Sequence, residues 1–327
     1  MTTMTTVKAL QEALRSGLRE DPRTVLIGED IGTLGGVFRV TDGLAREFGA
    51  HRVIDSPLAE SGIVGTAIGL AMRGYRPVCE IQFDGFVYPA FNQIVSQLAK
   101  YHARTHGRVR MPVTIRIPCS GGIGSIEHHS ESNEAYFCHT AGLRVVSCSS
   151  PTTAYRLLRA AMASDDPVIF FEPKHAYWDQ EDVDLAEPVD VAALEHARLV
   201  RSGTDATVLT YGSCVPVVLE AAAVAEGEGR SLEVIDLAAL SPLDVDAMVA
   251  SVRRTGRAIV VHEAPSNVGL GAEIAALLSH ECFYTLEAPV ERVGGWNIPY
   301  PPARVEREYL PDVDRILDAV DRTFEGS

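Results

Sequence analysis

Three short segments of the sequence combine acidic, aromatic or histidine side chains with glycines, a composition common in functional loops. In the first, Glu60 stands at the entrance of a predicted helix, flanked by the apolar residues Leu58, Ile63 and Val64. A carboxyl group in apolar surroundings can hold or share a proton near neutral pH. A glutamate at a helix start also interacts favourably with the helix dipole, and the pattern alone leaves both interpretations open.

The same predicted helix carries three glycines on one face, Gly62, Gly65 and Gly69. Each glycine in a helix interior costs about 1 kcal/mol relative to alanine. The usual compensation is the close approach of another backbone or of a ligand, which a residue without a side chain permits. We therefore expect this face to lie in close contact with another backbone or a ligand.

The second segment joins a predicted strand end to a loop that holds four aromatic rings, those of Phe83, Phe86, Tyr88 and Phe91. Rings gathered at the end of a strand can form a stacking wall for a flat heterocycle. They can also be ordinary core residues, and the sequence pattern does not separate the two interpretations.

The third segment, Cys119–Glu131, is a glycine-rich loop after a predicted strand, and it carries His128 and His129. Its glycines could cradle a phosphate, although no Lys-Ser/Thr follows them as in a Walker loop. Its acidic and histidine residues are poorly spaced for one tetrahedral metal. A general acid or base role for one histidine is therefore favoured over a metal site. A surface histidine without a catalytic role is the alternative.

The elements that must position these segments are apolar strand-like runs that alternate with helical patterns. Such alternation predicts an α/β protein with mostly parallel sheets covered on both faces. The predicted strands are Val25–Asp30, Val78–Phe83, Val113–Cys119, Leu143–Ser147, Val168–Glu172, Ala206–Gly212, Glu233–Leu237, Ala258–Glu263 and Val290–Val293. The predicted helices are Thr6–Glu20, Ser61–Met72, Phe91–His106, Thr152–Ser164, Val215–Glu226, Asp244–Arg254 and Gly271–His280.

The stretch Pro173–Ala193 is rich in Asp, Glu and Pro and lacks a core pattern. We interpret it as a connection that runs over the surface between two domains. The predicted division is a first domain over 1–175, a linker over 176–193 and a second domain over 194–327.

Composition excludes several classes of protein. Lys and Arg number 29 against 44 Asp and Glu in 327 residues, a formal charge of −15. Because phosphate backbones require clustered Lys and Arg, no nucleic-acid partner is expected. No apolar run reaches about 18 residues, so no membrane helix is expected, and the first residues lack a signal or transit pattern, which predicts a cytoplasmic protein. The six cysteines are scattered without zinc spacing and are predicted to be reduced.

Taken in chain order, nine strings of residues resemble the beta subunit of thiamine-diphosphate-dependent 2-oxo acid dehydrogenases, over roughly residues 5–325. The strings are Ile27–Ile31, Gly35–Arg39, Pro57–Gly65, Glu80–Phe83, His129–Ser130, Glu233–Leu237, Ser241–Asp244, His262–Ala264 and Leu286–Pro289. Four strings favour the branched-chain enzyme over the pyruvate enzyme. These are Gly36–Arg39, Glu80–Phe83, Phe170–Lys174 and His262–Pro265.

The resemblance implies a transketolase-like pyrimidine-binding domain followed by a transketolase C-terminal-like domain that serves mainly in assembly. The implied reaction is oxidative decarboxylation of branched-chain 2-oxo acids, such as 3-methyl-2-oxobutanoate, with acylation of the lipoyl group of an acyltransferase core. The sequence has no Gly-Asp-Gly, through which such enzymes bind magnesium and diphosphate. The resemblance therefore implies that these ligands come from an alpha subunit in an α2β2 heterotetramer.

The resemblance also implies roles for individual residues. Glu60 would hydrogen-bond the pyrimidine ring nitrogen of thiamine diphosphate, and His129 would protonate the lipoyl sulfur or assist acyl transfer to it. The cofactor-binding positions are Glu29, Leu58, Ala59, Glu60, Gln82, Phe86 and Pro89, and the substrate positions are Phe83, Phe86 and His129. Some relatives carry Tyr where this chain has Phe86, so stacking is expected there without hydroxyl chemistry. A structural potassium ion is implied at Met111, Val113, Thr114, Ala161, Ser164 and Asp166.

Three other functions fit parts of the sequence. A pyruvate-specific beta subunit would differ only in its substrate pocket. A non-catalytic scaffold subunit would keep both domains and tolerate the loss of Glu60 and His129. A Rossmann NAD oxidoreductase would need a GxGxxG motif, and the glycines at 32–36 do not have that spacing.

Overall fold

A computed structural model describes residues 1–325 of the chain. In the first half, strands and helices alternate as predicted. The strands are β1 (Thr2–Thr5), β2 (Thr24–Gly28), β3 (Val53–Asp55), β4 (Arg76–Glu80), β5 (Thr114–Cys119), β6 (Arg144–Ser147), β7 (Val168–Pro173) and β8 (Gln180–Val183). The helices are α1 (Thr6–Glu20), α2 (Leu44–Phe48), α3 (Glu60–Met72), α4 (Ala99–Arg104), α5 (Glu134–Cys138) and α6 (Pro151–Ala163), and a π-helix spans Gln93–Leu98.

Strands β2 to β7 form a parallel sheet in the order β6–β7–β5–β4–β2–β3. Successive strand residues point to opposite faces, so Leu26 joins the core beneath α1 and α6 while Ile27 joins the core beneath α3. Both faces are buried, which explains why these strands consist of nearly continuous apolar runs. Ser150 caps α6 with a capping box, which fixes where that helix begins.

The second half builds a smaller sheet. Its strands are β9 (Arg198–Arg201), β10 (Ala206–Thr210), β11 (Leu232–Asp236), β12 (Ala239–Ser241), β13 (Ala258–Pro265) and β14 (Glu291–Gly295). Its helices are α7 (Val215–Gly227), α8 (Val245–Thr255), α9 (Leu270–Glu281), α10 (Glu306–Tyr309) and α11 (Val313–Arg322). The strand order is β14–β13–β10–β11–β9, and β12 leaves this sheet to pair antiparallel with β6 of the larger one.

The predicted α/β fold with two mostly parallel sheets is confirmed. The stretch 176–193 differs from a simple surface connection. Strand β8 pairs antiparallel with β1, and Tyr177 and Val183 are buried in the core of the first half. The position of the domain boundaries stays a prediction.

Two predictions from composition concern the whole chain. All six cysteines are free, and five of them are buried, consistent with apolar core residues. Within residues 1–325, no helix has both the length and the apolar character needed to cross a membrane.

Candidate functional site

The predicted site residues lie where parallel strands of the larger sheet end, the usual position of sites in such sheets. Glu29 directly follows β2, and Glu60 is the first residue of α3, which follows β3. Gln82 and Phe83 follow β4 and lead into a 3-10 turn over Asp84–Ala90 that carries Phe86. The loop after β5 carries His129. The topology therefore brings the segments together at one edge.

Glu29 and Glu60 form a pair of carboxyl groups at this edge. The Glu60 side chain is buried, with 9% of the residue exposed. Burial, together with the negative charges of Asp30 and Glu60, raises the pKa of Glu29. Glu29 therefore keeps its proton to a higher pH than an ordinary glutamate does, beside the buried Glu60 carboxyl group.

Aromatic rings surround His129. The ring centroids of Phe83 and His129 are 4.1 Å apart, and those of Phe86 and His129 are 5.1 Å apart. Phe38 extends the cluster through an edge contact with Phe83 at 5.5 Å. The ring of His128 lies 5.9 Å from that of Phe86 and 4.5 Å from that of His129. Two of the four rings predicted to form an aromatic wall, Phe83 and Phe86, therefore adjoin the predicted acid–base histidine. The other two, Tyr88 and Phe91, contact the ring of Tyr136 instead.

Burial, the neighbouring His128 and the charge of Lys174 lower the pKa of His129. Its Nδ1 atom is buried and has no hydrogen-bond partner in the described chain. A histidine that is mostly neutral near pH 7 and has a free ring nitrogen can exchange a proton with a substrate. These properties fit the acid–base role predicted for it.

Several other predicted cofactor positions are exposed. Leu58 is 73% exposed, and Ala59 and Pro89 are also open to solvent. The glycine face of α3 is open as well, because a Cβ atom on Gly65 or Gly69 would meet nothing within 4 Å. Residues 1–325 therefore do not themselves supply the close contact expected for this face. Large apolar residues and glycines left open at a site indicate a surface that another molecule covers.

The glycine-rich loop does not present its backbone to a phosphate. The Gly121 N–H donates to the Glu263 carboxylate at 2.6 Å, and the N–H groups of Gly122 and Gly124 donate to the two oxygens of Glu306 at 2.9 and 3.1 Å. These carboxylates occupy the donors that an anion would use. The N–H groups that could have bound a phosphate are thus already bonded to carboxylates of the same chain.

A buried ion network connects the strands beneath the site. The Arg116 guanidinium donates to Glu80 at 2.6 Å and to both oxygens of Glu172 at 2.6 and 2.9 Å. The Tyr177 hydroxyl donates to Glu172 at 2.8 Å. One cation shared between strands β4, β5 and β7 fixes their relative positions, because leaving any of these charges unpaired would be costly.

The six residues predicted to hold potassium lie around the starts of β5 and β7 and the end of α6. The Val113 carbonyl accepts a hydrogen bond from Val168, and the Ser164 carbonyl accepts one from Arg76 at 2.5 Å. A carbonyl oxygen has two lone pairs, so these bonds leave room for a monovalent cation. The donor set of carbonyls and one hydroxyl suits such an ion, and its binding stays a prediction. Residues 1–325 contain no cluster of three His, Cys, Asp or Glu that could hold a metal.

The sequence patterns missed four residues that shape this site. Asp84 and Lys174 form a buried pair below the aromatic cluster, with Lys174 Nζ 3.4 Å from Asp84 Oδ1. Glu263 and Glu306 hold the glycine-rich loop from 130 or more residues away. The isolated Lys in the Glu-Pro-Lys string was a signal for the first pair, but no local pattern indicates the second.

Comparisons with known proteins agree with this architecture. Residues 2–179 match the family model described as transketolase, pyrimidine binding domain, and residues 195–316 match transketolase, C-terminal domain. A solved structure described as a split gene transketolase, inactive beta4 tetramer, superposes with a TM-score of 0.81. It covers 98% of each chain at 22% identity, which shows a shared fold.

Curated relatives are similar over nearly their whole length. The pyruvate dehydrogenase E1 component subunit beta of Leifsonia xyli is 58% identical, covering 97% of this chain and 94% of the relative. The 3-methyl-2-oxobutanoate dehydrogenase subunit beta of Mycobacterium tuberculosis is 54% identical, covering 98% and 92%. The 2-oxoisovalerate dehydrogenase subunit beta of Pseudomonas aeruginosa is 44% identical, covering 99% and 96%.

Proposed function

The chain belongs to the E1 beta subunits of thiamine-diphosphate-dependent 2-oxo acid dehydrogenases, and from this we propose that it acts on branched-chain 2-oxo acids. In this proposal it works with an alpha subunit in an α2β2 heterotetramer. The complex decarboxylates the 2-oxo acid and passes the acyl group to the lipoyl group of an acyltransferase core. The observation that supports the proposal is the placement of the Glu29–Glu60 pair and of the aromatic and histidine cluster after the carboxyl ends of neighbouring parallel strands.

Bound thiamine diphosphate would supply the electron sink for the loss of carbon dioxide. Glu60 would hold a proton at the pyrimidine ring nitrogen, and burial together with the charges of Asp30 and Glu60 would keep the neighbouring Glu29 protonated to a higher pH than usual. Phe86 would stack near the pyrimidine, which fits its place in the aromatic cluster. The remaining wall of this half-site would come from Leu58, Ala59, Gln82 and Pro89.

His129 would act in the second half of the reaction. Its lowered pKa makes its protonated form a ready proton donor toward the lipoyl sulfur. Phe83 and Phe86, whose rings contact His129, would exclude water from this step and line the substrate position.

The alpha subunit would complete the site. The sequence lacks Gly-Asp-Gly, so the ligands to magnesium and diphosphate would lie on that partner. The open Leu58 and the open glycine face of α3 beside Glu60 are suited to a close protein contact. Potassium would be held by the six residues around the starts of β5 and β7.

A pyruvate-specific complex is the second candidate, because the relative that is 58% identical is a pyruvate dehydrogenase subunit. The two functions differ in how well the substrate pocket accommodates the short aliphatic side chain of the 2-oxo acid. Each methylene in such a pocket is worth about 1–3 kcal/mol, so the preference between the substrates can be partial.

The test is to produce the chain alone and together with its alpha subunit. Turnover of 3-methyl-2-oxobutanoate and of pyruvate is measured with thiamine diphosphate, magnesium and an artificial electron acceptor. We expect no turnover by the chain alone, and turnover by the complex with a higher kcat/KM for 3-methyl-2-oxobutanoate. A higher kcat/KM for pyruvate would select the second candidate, and robust turnover by the chain alone would refute the shared site.

Glu60→Gln should lower decarboxylation by the complex about 100-fold or more, because the amide cannot exchange a proton with the pyrimidine nitrogen. Asp314→Asn is the matched control, since Asp314 is an exposed acidic residue in the first turn of α11. It should leave turnover unchanged. If both Glu60→Gln and His129→Ala left the overall activity unchanged, the chain would be a scaffold subunit.

A further inference from the structure

Two buried glutamates of the second half hold the loop that carries His129. Glu263, in β13, accepts hydrogen bonds from the Gly121 N–H at 2.6 Å and from the Ser132 hydroxyl at 3.3 Å. It therefore contacts both stems of the loop. Glu306, at the start of α10, accepts from the N–H groups of Gly122 and Gly124. Together they fix the loop at its stems and along its glycine-rich side.

Burying the carboxylates of Glu263 and Glu306 costs free energy, so specific contacts must stabilise each of them. Glu263 is 5% exposed and Glu306 is 7% exposed. In the described part of the chain their partners are backbone N–H and hydroxyl groups, with Ser213 at 2.8 Å from Glu263 and Tyr300 at 2.7 Å from Glu306. Buried carboxylates without a cation are stable only when hydrogen bonds satisfy them. Both depend on this loop for those bonds.

The loop contains one strained residue and two flexible ones. Ser120 has a positive φ angle of 70°, which is unfavourable for a non-glycine residue and persists only where neighbouring contacts impose it. Gly122 and Gly124, at 83° and 69°, adopt such angles without strain, so contacts with other residues must fix their conformation. On the opposite side, the backbone of His128 packs so tightly on Gly85 that a Cβ there would overlap it. The loop that carries His129 is therefore held on one side by the 3-10 turn over Asp84–Ala90 and on the other by Glu263 and Glu306.

We propose that Glu263 and Glu306 are positioning residues for His129, so that the second domain takes part in transfer of the acyl group to lipoate. The inference rests on the proposed role of His129 in that step. Because neither glutamate touches the Glu29–Glu60 pair or the cofactor wall in the described contacts, decarboxylation should not depend on them. Loss of either should disturb one half-reaction and spare the other.

The test uses the α2β2 complex with Glu306→Gln and Glu306→Ala. Decarboxylation is followed with an artificial electron acceptor, and reductive acylation is followed on a free lipoyl domain. We expect reductive acylation to fall by about tenfold or more, because small misplacements of an acid–base group are costly. Decarboxylation should stay within about twofold, since its groups are left in place.

Glu233→Gln is the matched control, because Glu233 is another buried glutamate of the second half, in β11, and bonds Ser251 and Arg254 away from the loop. It should leave the ratio of the two half-reactions unchanged. If Glu306→Ala prevents folding, Tyr300→Phe removes one hydrogen bond to Glu306 and a long one from the Gly122 N–H at 3.4 Å, and should give a smaller change in the same ratio. Equal losses in both half-reactions, or no loss in either, would overturn the proposal.

Hydrogen exchange of the backbone amides separates this proposal from the function on which it rests. Glu306→Gln should speed exchange in the segment 121–132 and not in β10 or β11. Unchanged exchange there would refute the positioning role even if the wild-type complex proved inactive. An inactive wild-type complex with faster exchange in the variant would refute only the proposed reaction.

Discussion

At the scale of single residues, the buried pair Asp84–Lys174 sets the electrostatics below His129. Both side chains are fully buried. Burial raises the pKa of Asp84 to about 7, outweighing the opposing effect of Lys174. Lys174 in turn contributes to the lowered pKa of His129. The pair is therefore one reason why His129 is a ready proton donor.

The raised pKa of Asp84 predicts a pH dependence of stability. A carboxyl group that binds its proton more tightly in the folded state contributes stability below about pH 4. It loses this contribution as pH rises through about 7. Asp84→Asn cannot titrate, so its free energy of unfolding should fall less than that of the wild type between pH 4 and 7. The difference approaches about 1.4 kcal/mol per pH unit.

Denaturant unfolding at pH 4, 5.5 and 7 measures this difference. Asp314→Asn, at an exposed position, controls for the loss of one negative charge. If the free energies of unfolding of the wild type and of Asp84→Asn changed in parallel with pH, the raised pKa of Asp84 would be contradicted. The substitution also leaves the buried Lys174 without its charged partner, which lowers the free energy of unfolding of the variant. The diagnostic quantity is therefore the change of that free energy with pH.

At the scale of elements, α3 combines a buried face with an open glycine face. Ile63, Val64 and Ala67 pack on the sheet, while a Cβ atom on Gly65 or Gly69 would meet nothing within 4 Å in residues 1–325. Glycines in an exposed helix are destabilising without a contact that needs them. Because this face lies beside Glu60, we propose that it contacts the alpha subunit.

Gly65→Leu should separate stability from assembly. Leucine favours the helix by up to about 1 kcal/mol over glycine, so the isolated chain should melt at the same or a higher temperature. The added side chain should prevent close approach of the partner and lower complex formation with the alpha subunit, measured by size-exclusion chromatography. Gly227→Leu, at the open end of α7, should leave assembly intact. Normal assembly of Gly65→Leu would place the contact elsewhere.

The elements predictable from the sequence are those specified by local pattern. The amphipathic period of α1 predicted that helix to the residue, and the apolar runs of the central parallel strands predicted their ends to within three residues. Strand β8 was missed because Gln-Glu-Asp-Val carries no apolar alternation, and it becomes a strand by pairing with β1, about 180 residues earlier. Glu29, Glu60 and His129 were predictable as a set from family strings, whereas the partners of Gly122 and Gly124 depend on contacts that only the folded chain creates.

At the scale of the whole molecule, the formal charge of −15 bears on docking to the acyltransferase core. A beta subunit that binds a basic segment of that core would gain affinity from long-range attraction, which salt screens. We therefore expect the dissociation constant of the assembled α2β2 complex for the core to rise steeply between 50 and 300 mM salt, a range in which the Debye length falls below about 10 Å. Decarboxylation by the free complex over the same range is the control. A dissociation constant independent of salt would count against a charged docking surface.

The hydrogen bonds from Gly121, Gly122 and Gly124 to Glu263 and Glu306 also bear on how such chains can recombine. Two separate family models match residues 2–179 and 195–316. This division suggests that each half could be exchanged with the corresponding half of a relative. A hybrid joined near residue 190 would bring a loop from one parent against glutamates from the other. Functional hybrids should therefore arise between parents that share both the glycines and the two acids.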